Sequence, residues 1–540
     1  MPRRGETINI ANSEELIEAI QNQEAGQTWI LAGGKYDVSD DCLDVVANIN
    51  NVASGFVFPI FVDNLTIRGE GDVILTSTYD PNSGNWHSQN FLTIGSSGVT
   101  IENVDIQGNP NGYYEGMCNK ALELIDEGKD LTLRNVDFLP LDYEDDTQWS
   151  GSVFITVADA GATVIDNVSL YSWVSARSVT TGTVSIKDTT LDFTNNTYAG
   201  YAEYGLGISG DQASLENVTI KVDGSVDLVN QVTNNLKPGT TVELTEDVAV
   251  DEMVYIQTDN VTIKGNGHKI TASESYAMGT HGQTNLFKVQ ADNVTLEDVS
   301  LVSTDLTKHS LDVWGAENVT LKNVTLDNTH TTGGAPLVNN SSTITVEGTL
   351  SLITGEKSWY GINVDDKNGA ASITFAEDSE LSFTNNAESE KAVVYLELKD
   401  TEPEDAIVNP ENAGLLLDGE NGQFVPHTHA YGDWMSDADG HWKECSCGDK
   451  AEAGDHVFTW VTDQEATADK AGSKHEECTV CGYEKEAVEI PATGGSATEP
   501  DVEKPETGDS APWLWIALAV LACGMLLTVS VVGNRGKAKH

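Results

Sequence analysis

An all-β solenoid, written twice in one chain, is what this sequence predicts. Three observations carry the expectation. Apolar and polar residues alternate in short runs, the runs recur every 25–34 residues, and a block of about 200 residues appears a second time.

The long repeat is the firmest of the three. "DNLTIRGEGDVIL" from Asp63 matches "DNVTIKGNGHKIT" from Asp259, an offset of 196. "SEELIEAI" and "GQTWIL" pair with "SVDLVNQV" and "GTTVEL", and "VTIENVDI" at Val99 pairs with "VTLEDVSL" at Val294. The offset drifts between 188 and 213, as loops of unequal length require. These matches predict two copies of one domain, over 7–224 and 225–425.

The shorter beat sits inside each copy. In Val99-Thr100-Ile101-Glu102-Asn103-Val104-Asp105-Ile106, Val99 and Ile101 share one strand face, and Val104 and Ile106 resume it after a polar pair. That pair reads as a corner, because Asn tolerates the left-handed conformation a sharp bend needs. Asn135, Asn167, Asn217 and Asn323 occupy the same place in other beats. Stacked coils bury their inward Val, Ile and Leu in one core and let the corner Asn side chains hydrogen-bond along the stack. A β-sandwich also uses short, evenly spaced strands and is the rival fold.

"SEELIEAI…GQTWILAGGKYDV" followed by "NLTIRGEGDVIL" resembles the right-handed parallel β-helix proteins of the pectate-lyase-like superfamily. The resemblance covers roughly 13–400 and implies an N-terminal helix capping the solenoid. Residues 13–22 supply it, with Ser13 as N-cap and Leu16, Ile17 and Ile20 as its apolar face. Residues 225–233 offer a second cap.

Members of that superfamily cut acidic polysaccharides or bind and display. The lyases use Asp-rich calcium sites and a catalytic Arg; the hydrolases use paired Asp residues and a Gly-His-Gly. Asp40-Asp41 and Glu144-Asp145-Asp146 read as solvated loops. Gly265-Asn266-Gly267-His268 fits a coil corner, and Arg68, Arg134 and Arg177 stand in no motif. Binding of a glycan or host-surface ligand is therefore favoured over catalysis, with a wall-tethered polysaccharide lyase or hydrolase as the alternative.

From His427 the composition changes. Five of the 11 histidines and four of the seven cysteines fall in the next 55 residues. His441, Cys445 and Cys447 form one half-unit, and His475, Cys478 and Cys481 the other. Thiolates and imidazoles grouped this way suit tetrahedral zinc, and these six residues are its candidate ligands. Two disulfides are the other reading. The segment 426–493 resembles a short repeat near the C-termini of surface proteins from gut Firmicutes, which implies a stalk.

Residues 494–510 read as a linker. Lys504-Pro505-Glu506-Thr507-Gly508 precedes 23 uncharged residues, 511–533, and a basic tail, 534–540. A span of that length crosses a bilayer, and the basic tail puts the remainder outside. The arrangement resembles the sorting signal of Gram-positive wall-anchored proteins. It implies sortase cleavage between Thr507 and Gly508 and covalent transfer to peptidoglycan. Ile490-Pro491-Ala492-Thr493-Gly494 is a second, more distant match. Residues 1–19 hold no apolar run of signal-peptide length, so the expectation is that a signal peptide is missing from this chain. A formal charge of -56, from 85 acidic and 29 basic residues, excludes a nucleic-acid partner.

Overall fold

The computed structural model describes residues 5–494, apart from 39–56, 79–90, 109–120, 140–152, 195–207, 225–227, 230–235, 278–284, 388–392, 419–421 and a few single or paired positions. The sorting motif at Lys504–Gly508, the apolar span 511–533, Asp40-Asp41, Glu144–Asp146, Arg177, Cys42 and Cys118 lie outside the described residues, as does most of the second cap at 225–233. The chain divides into two compact units, 1–428 and 429–540.

The first unit is a parallel β-helix. Its coils stack in parallel register, like residue on like residue, and the closing strands Leu415–Asp418 and Gln423–Pro426 pair antiparallel. Trp29, Ile67, Ile101, Leu133, Ile165 and Ile186 form one inward column, each the register partner of the next. All six are buried, and the apolar core runs unbroken from Ile10 to Phe424. Alternation explains this: every second side chain of a strand faces the same side, so an apolar-polar beat lines the lumen and leaves Thr, Glu and Lys outside.

The corners form where the Asn residues predict them. Asn103, Asn135, Asn167, Asn217 and Asn323 all have φ between 52° and 57°. Asn167 Nδ2 donates to Asn135 Oδ1, and Asn135 Nδ2 to Asn103 Oδ1, each at 2.8 Å. Asn323 Nδ2 donates to Asp298 Oδ1 at 3.0 Å, and its own Oδ1 accepts from Thr349 N. The next corner is Gly348, at φ 60°, where a Cβ would stand 2.2 Å from Asn323 Oδ1. Only glycine closes the ladder there.

The N-terminal helix spans Ser13–Gln21 and buries Leu16, Ala19 and Ile20. Its cap is Asn12, not Ser13. Asn12 Oδ1 accepts from Glu15 N, while the Glu15 carboxylate accepts from Ala11 N, a reciprocal arrangement Ser13 is one residue too late to make.

The two sequence repeats share one sheet. The strand that leads the second copy, Thr240–Leu244, pairs in parallel with Val218–Val222, the trailing strand of the first. The column Leu170–Leu191–Ile220 therefore continues into Val242, Ile263 and Leu296. The copies join one strand out of phase.

The second unit contains two three-stranded antiparallel sheets. The first holds Tyr431–Ser436, His441–Cys445 and Lys450–Gly454; the second holds Phe458–Gln464, Gly472–Cys478 and Val488–Ile490. Among the described residues no helix is long and apolar enough to cross a membrane.

Candidate functional site

Copy 2 of the solenoid carries a cleft of about 510 Å³ on the outward face of one sheet. The outward column across successive coils is Tyr255, Lys288, Asp312, Val338, Asn363 and Tyr395. Each residue lies between buried, inward neighbours, apolar except for Asn339 beside Val338, so strand alternation aims it out. Loops between coils add Lys308, Trp359 and Tyr360, and the strand His309–Trp314 contributes both of its end residues.

The floor is polar and buried. Asp312 accepts from Asn285 Nδ2 at 2.8 Å and from Asn340 Nδ2 at 2.7 Å, and its carboxylate lies 4.0 Å from Lys288 Nζ. Burial raises the Asp312 pKa, against the pull of Lys288 and the two amides. The same burial lowers the pKa of Lys288, with Asp312 opposing. In both groups desolvation outweighs the pair's attraction.

The rim is aromatic. Trp314 and Trp359 are 38% and 42% exposed, unusual for residues of that size. Lys288 Nζ sits 4.4 Å from the Trp314 ring centre, and Lys308 Nζ the same distance from Trp359. Tyr360 stacks on Tyr395 with ring centres 4.1 Å apart. Rings with bound cations on one face present a flat apolar platform beside fixed charge.

His309 holds one wall. Its Nδ1 lies 3.1 Å from Ala335 O and 3.0 Å from Ala335 N, and its ring stands edge-on to Trp359. Burial pushes its pKa down to about 4; the Ala335 carbonyl opposes this and Lys308 reinforces it. A histidine kept neutral in the fold contributes fully above its unfolded pKa of 6.5 and loses that contribution as pH falls towards about 4. The stability advantage of wild type over His309→Gln is therefore expected to shrink by about 2 kcal/mol between pH 7.5 and pH 5, read from urea midpoints. An advantage that is constant with pH would show that His309 titrates normally.

The sequence motifs go elsewhere. His268 closes its corner through its backbone N–H to Gly265 O, with its ring 3.6 Å from exposed Asp247. Arg68 pairs with Glu102, and Arg134 with Asp166, on the solvent side of the coils. None of these reaches the cleft. Trp314 at a strand end and Trp359 in a loop between coils were the available signal for it.

The second unit holds two groups of metal-ligating side chains. In one, the Cys447 sulfur lies 3.4 Å from His429 Nδ1, with Cys445 alongside. The other is His441, His456, Cys478 and Cys481. All four cysteines are thiols. The backbone N–H of Cys447 is the main influence bringing the Cys445 thiol down to about 5. At Cys478 burial pushes upward, but the N–H groups of Cys481 and Val480 and the His456 ring offset it, again giving about 5. Thiols that ionise this readily are prepared for a cation.

Of the six expected ligands, the structure brings the four cysteines and His441 into these groups but not His475. The His475 Nδ1 is 2.5 Å from Asp463 Oδ1, and its Nε2 is buried without a hydrogen bond. His441 also leaves its own half-unit and joins Cys478 and Cys481. Sequence proximity to a cysteine pair misled here, because strand direction aims His475 at the opposite side of its sheet from Cys478. His429 and His456, which the cysteine spacing does not single out, stand in these groups.

No protein-family model and no curated protein matches the chain. Solved structures give distant likenesses. The Azotobacter vinelandii mannuronan C-5 epimerase AlgE6 A-module is 12% identical, over 71% of this chain and 94% of that one, with a TM-score of 0.26. The PL6 family alginate lyase AlyGC is 10% identical over 78% and 55%, with a TM-score of 0.22. An iota-carrageenase complexed to iota-carrageenan fragments is 12% identical over 68% and 58%, at 0.13. Likeness of this size does not extend to a shared site. The fold rests on the strand register: this chain is a parallel β-helix followed by a small cysteine-histidine module.

Proposed function

We propose that the solenoid engages polysaccharide in the copy 2 cleft, and that the chain is a surface protein displaying it. The observation that carries this is the exposed pair Trp314 and Trp359 over a charged, buried floor. Sugar rings have apolar faces that lie on aromatic rings, and hydroxyl or acidic groups that hydrogen-bond to fixed polar side chains. Binding is the reading the geometry favours, because Asp312 already spends both carboxylate oxygens on Asn285 and Asn340. The second reading is a polysaccharide lyase or hydrolase. It is favoured by a carboxyl of raised pKa and a neutral histidine in one cleft, the pairing acid–base chemistry uses.

Export, cleavage at Thr507 by a sortase and attachment to peptidoglycan complete the proposal, supported by the residues 504–540. The segment 511–533 holds the chain in the membrane until then. Zinc is the structural metal proposed for the stalk, on the chemistry of its donors.

Glycan-array binding of the full chain tests the central point. Trp359→Ala is expected to weaken binding about 3- to 10-fold without changing the unfolding midpoint. Unchanged binding would move the site elsewhere on the solenoid. Release of unsaturated ends or reducing sugar from pectin, alginate or glycosaminoglycan would establish the catalytic reading instead.

A further inference from the structure

The geometry assigns His441, His456, Cys478 and Cys481 to a single metal centre that fastens the two sheets of the module to each other. The inference rests on the zinc reading and adds its ligands and its mechanical role. His441 begins a strand of the first sheet, and His456 follows that sheet's last strand. Cys478 ends the central strand of the second sheet, and Cys481 lies in the turn after it. Each sheet supplies or adjoins two donors, so neither completes the centre alone.

Three observations agree. First, the spacing is that of a ligand shell. Cys481 Sγ is 3.4 Å from His456 Nδ1, and Cys478 Sγ is 3.9 Å from His441 Nδ1. Around a tetrahedral zinc, with Zn–S of ~2.3 Å and Zn–N of ~2.0 Å, the S···N edge is ~3.5 Å. Second, His456 is oriented for the task. Its Nε2 lies 2.7 Å from Asp437 O, which fixes the proton there and leaves the Nδ1 lone pair towards the sulfurs. Third, the module has no apolar core to do the work instead. Among its described residues the buried side chains are His441, Cys445, His475 and Cys478, while Trp460 and Val457 are exposed. Domains this small need a staple when a hydrophobic core is lacking.

The order of ligands along the chain sharpens the point. His441 stands between His429 and the Cys445/Cys447 pair, which belong to the other group. The two ligand sets therefore cross in sequence, and the first sheet takes part in both. Binding converts two thiols to thiolates, releases two protons to solvent and leaves a neutral centre of one divalent ion, two thiolates and two imidazoles.

The test is metal content of the full chain, with zinc alone added and excess removed. His456→Ala and Cys481→Ser are each expected to lose one equivalent relative to wild type, whereas His475→Gln loses none. Cobalt(II) substitution gives a second readout: a tetrahedral S₂N₂ visible spectrum whose intensity falls in His456→Ala and not in His475→Gln. Loss of an equivalent in His475→Gln with retention in His456→Ala would overturn the ligand assignment and leave zinc binding standing. Absence of bound zinc in wild type, with the four module cysteines unreactive to thiol reagents, would overturn zinc binding itself.

Discussion

Replacing Asp312 with alanine is expected to cost the solenoid about 3–5 kcal/mol, the largest effect of any single change at the cleft. The reason is the partner left behind. Lys288 is almost wholly buried, its ammonium 4.0 Å from the carboxylate and over the Trp314 ring. Without Asp312 it keeps its desolvation penalty and loses its counter-charge, and Asn285 and Asn340 lose an acceptor. Lys288→Met combined with Asp312→Leu removes both charges at similar volume, and is expected to recover most of the loss. Urea unfolding of the two single variants and the double variant measures the coupling. If the single and double variants are equally destabilised, the pair contributes nothing and Asp312 acts through its amide partners alone.

Asn135→Ala is expected to cost about 2–3 kcal/mol although the side chain is exposed. It sits mid-ladder, donating to Asn103 and accepting from Asn167. Two hydrogen bonds go, at about 0.5–1 kcal/mol each for solvent-facing groups. Alanine at φ 52° adds about 1 kcal/mol for a conformation Asn tolerates and Ala resists. Asn135→Gly relieves the backbone and not the ladder, so it should regain about 1 kcal/mol of the loss. Equal midpoints for the alanine and glycine variants would remove the backbone from the account.

Asn135 also shows why the fold was legible in the sequence. A corner Asn states its backbone conformation locally, and the apolar beat around it states which face turns inward. Both are properties of eight consecutive residues, and stacking only repeats them. The cleft is different in kind. Lys288, Asp312 and Trp359 are separated by 24 and 47 residues and become neighbours only through coil register. No local pattern distinguishes Asp312 from the many acidic residues facing solvent. The metal groups fall between these cases. The knuckle turns at Cys445–Gly448 and Cys478–Gly482 are local and readable, each closed by a glycine of positive φ. Which histidine meets which pair depends on strand pairing, which is why His456 was missed and His475 was chosen.

The one-strand offset between the copies has a consequence for how the duplication is used. A repeat stacked in phase would extend one groove along the rod, and a long polymer could lie across both copies without turning. Here equivalent faces are rotated about the axis by one strand, so a straight polymer on the cleft face of copy 2 leaves the corresponding face of copy 1 to its side. That face has gone its own way: its outward column reads Pro59, Thr93 and Glu123, with Thr93 sealed from solvent. Duplication thus lengthened the apolar lumen, which both copies fill alike, while their outward faces carry different side chains.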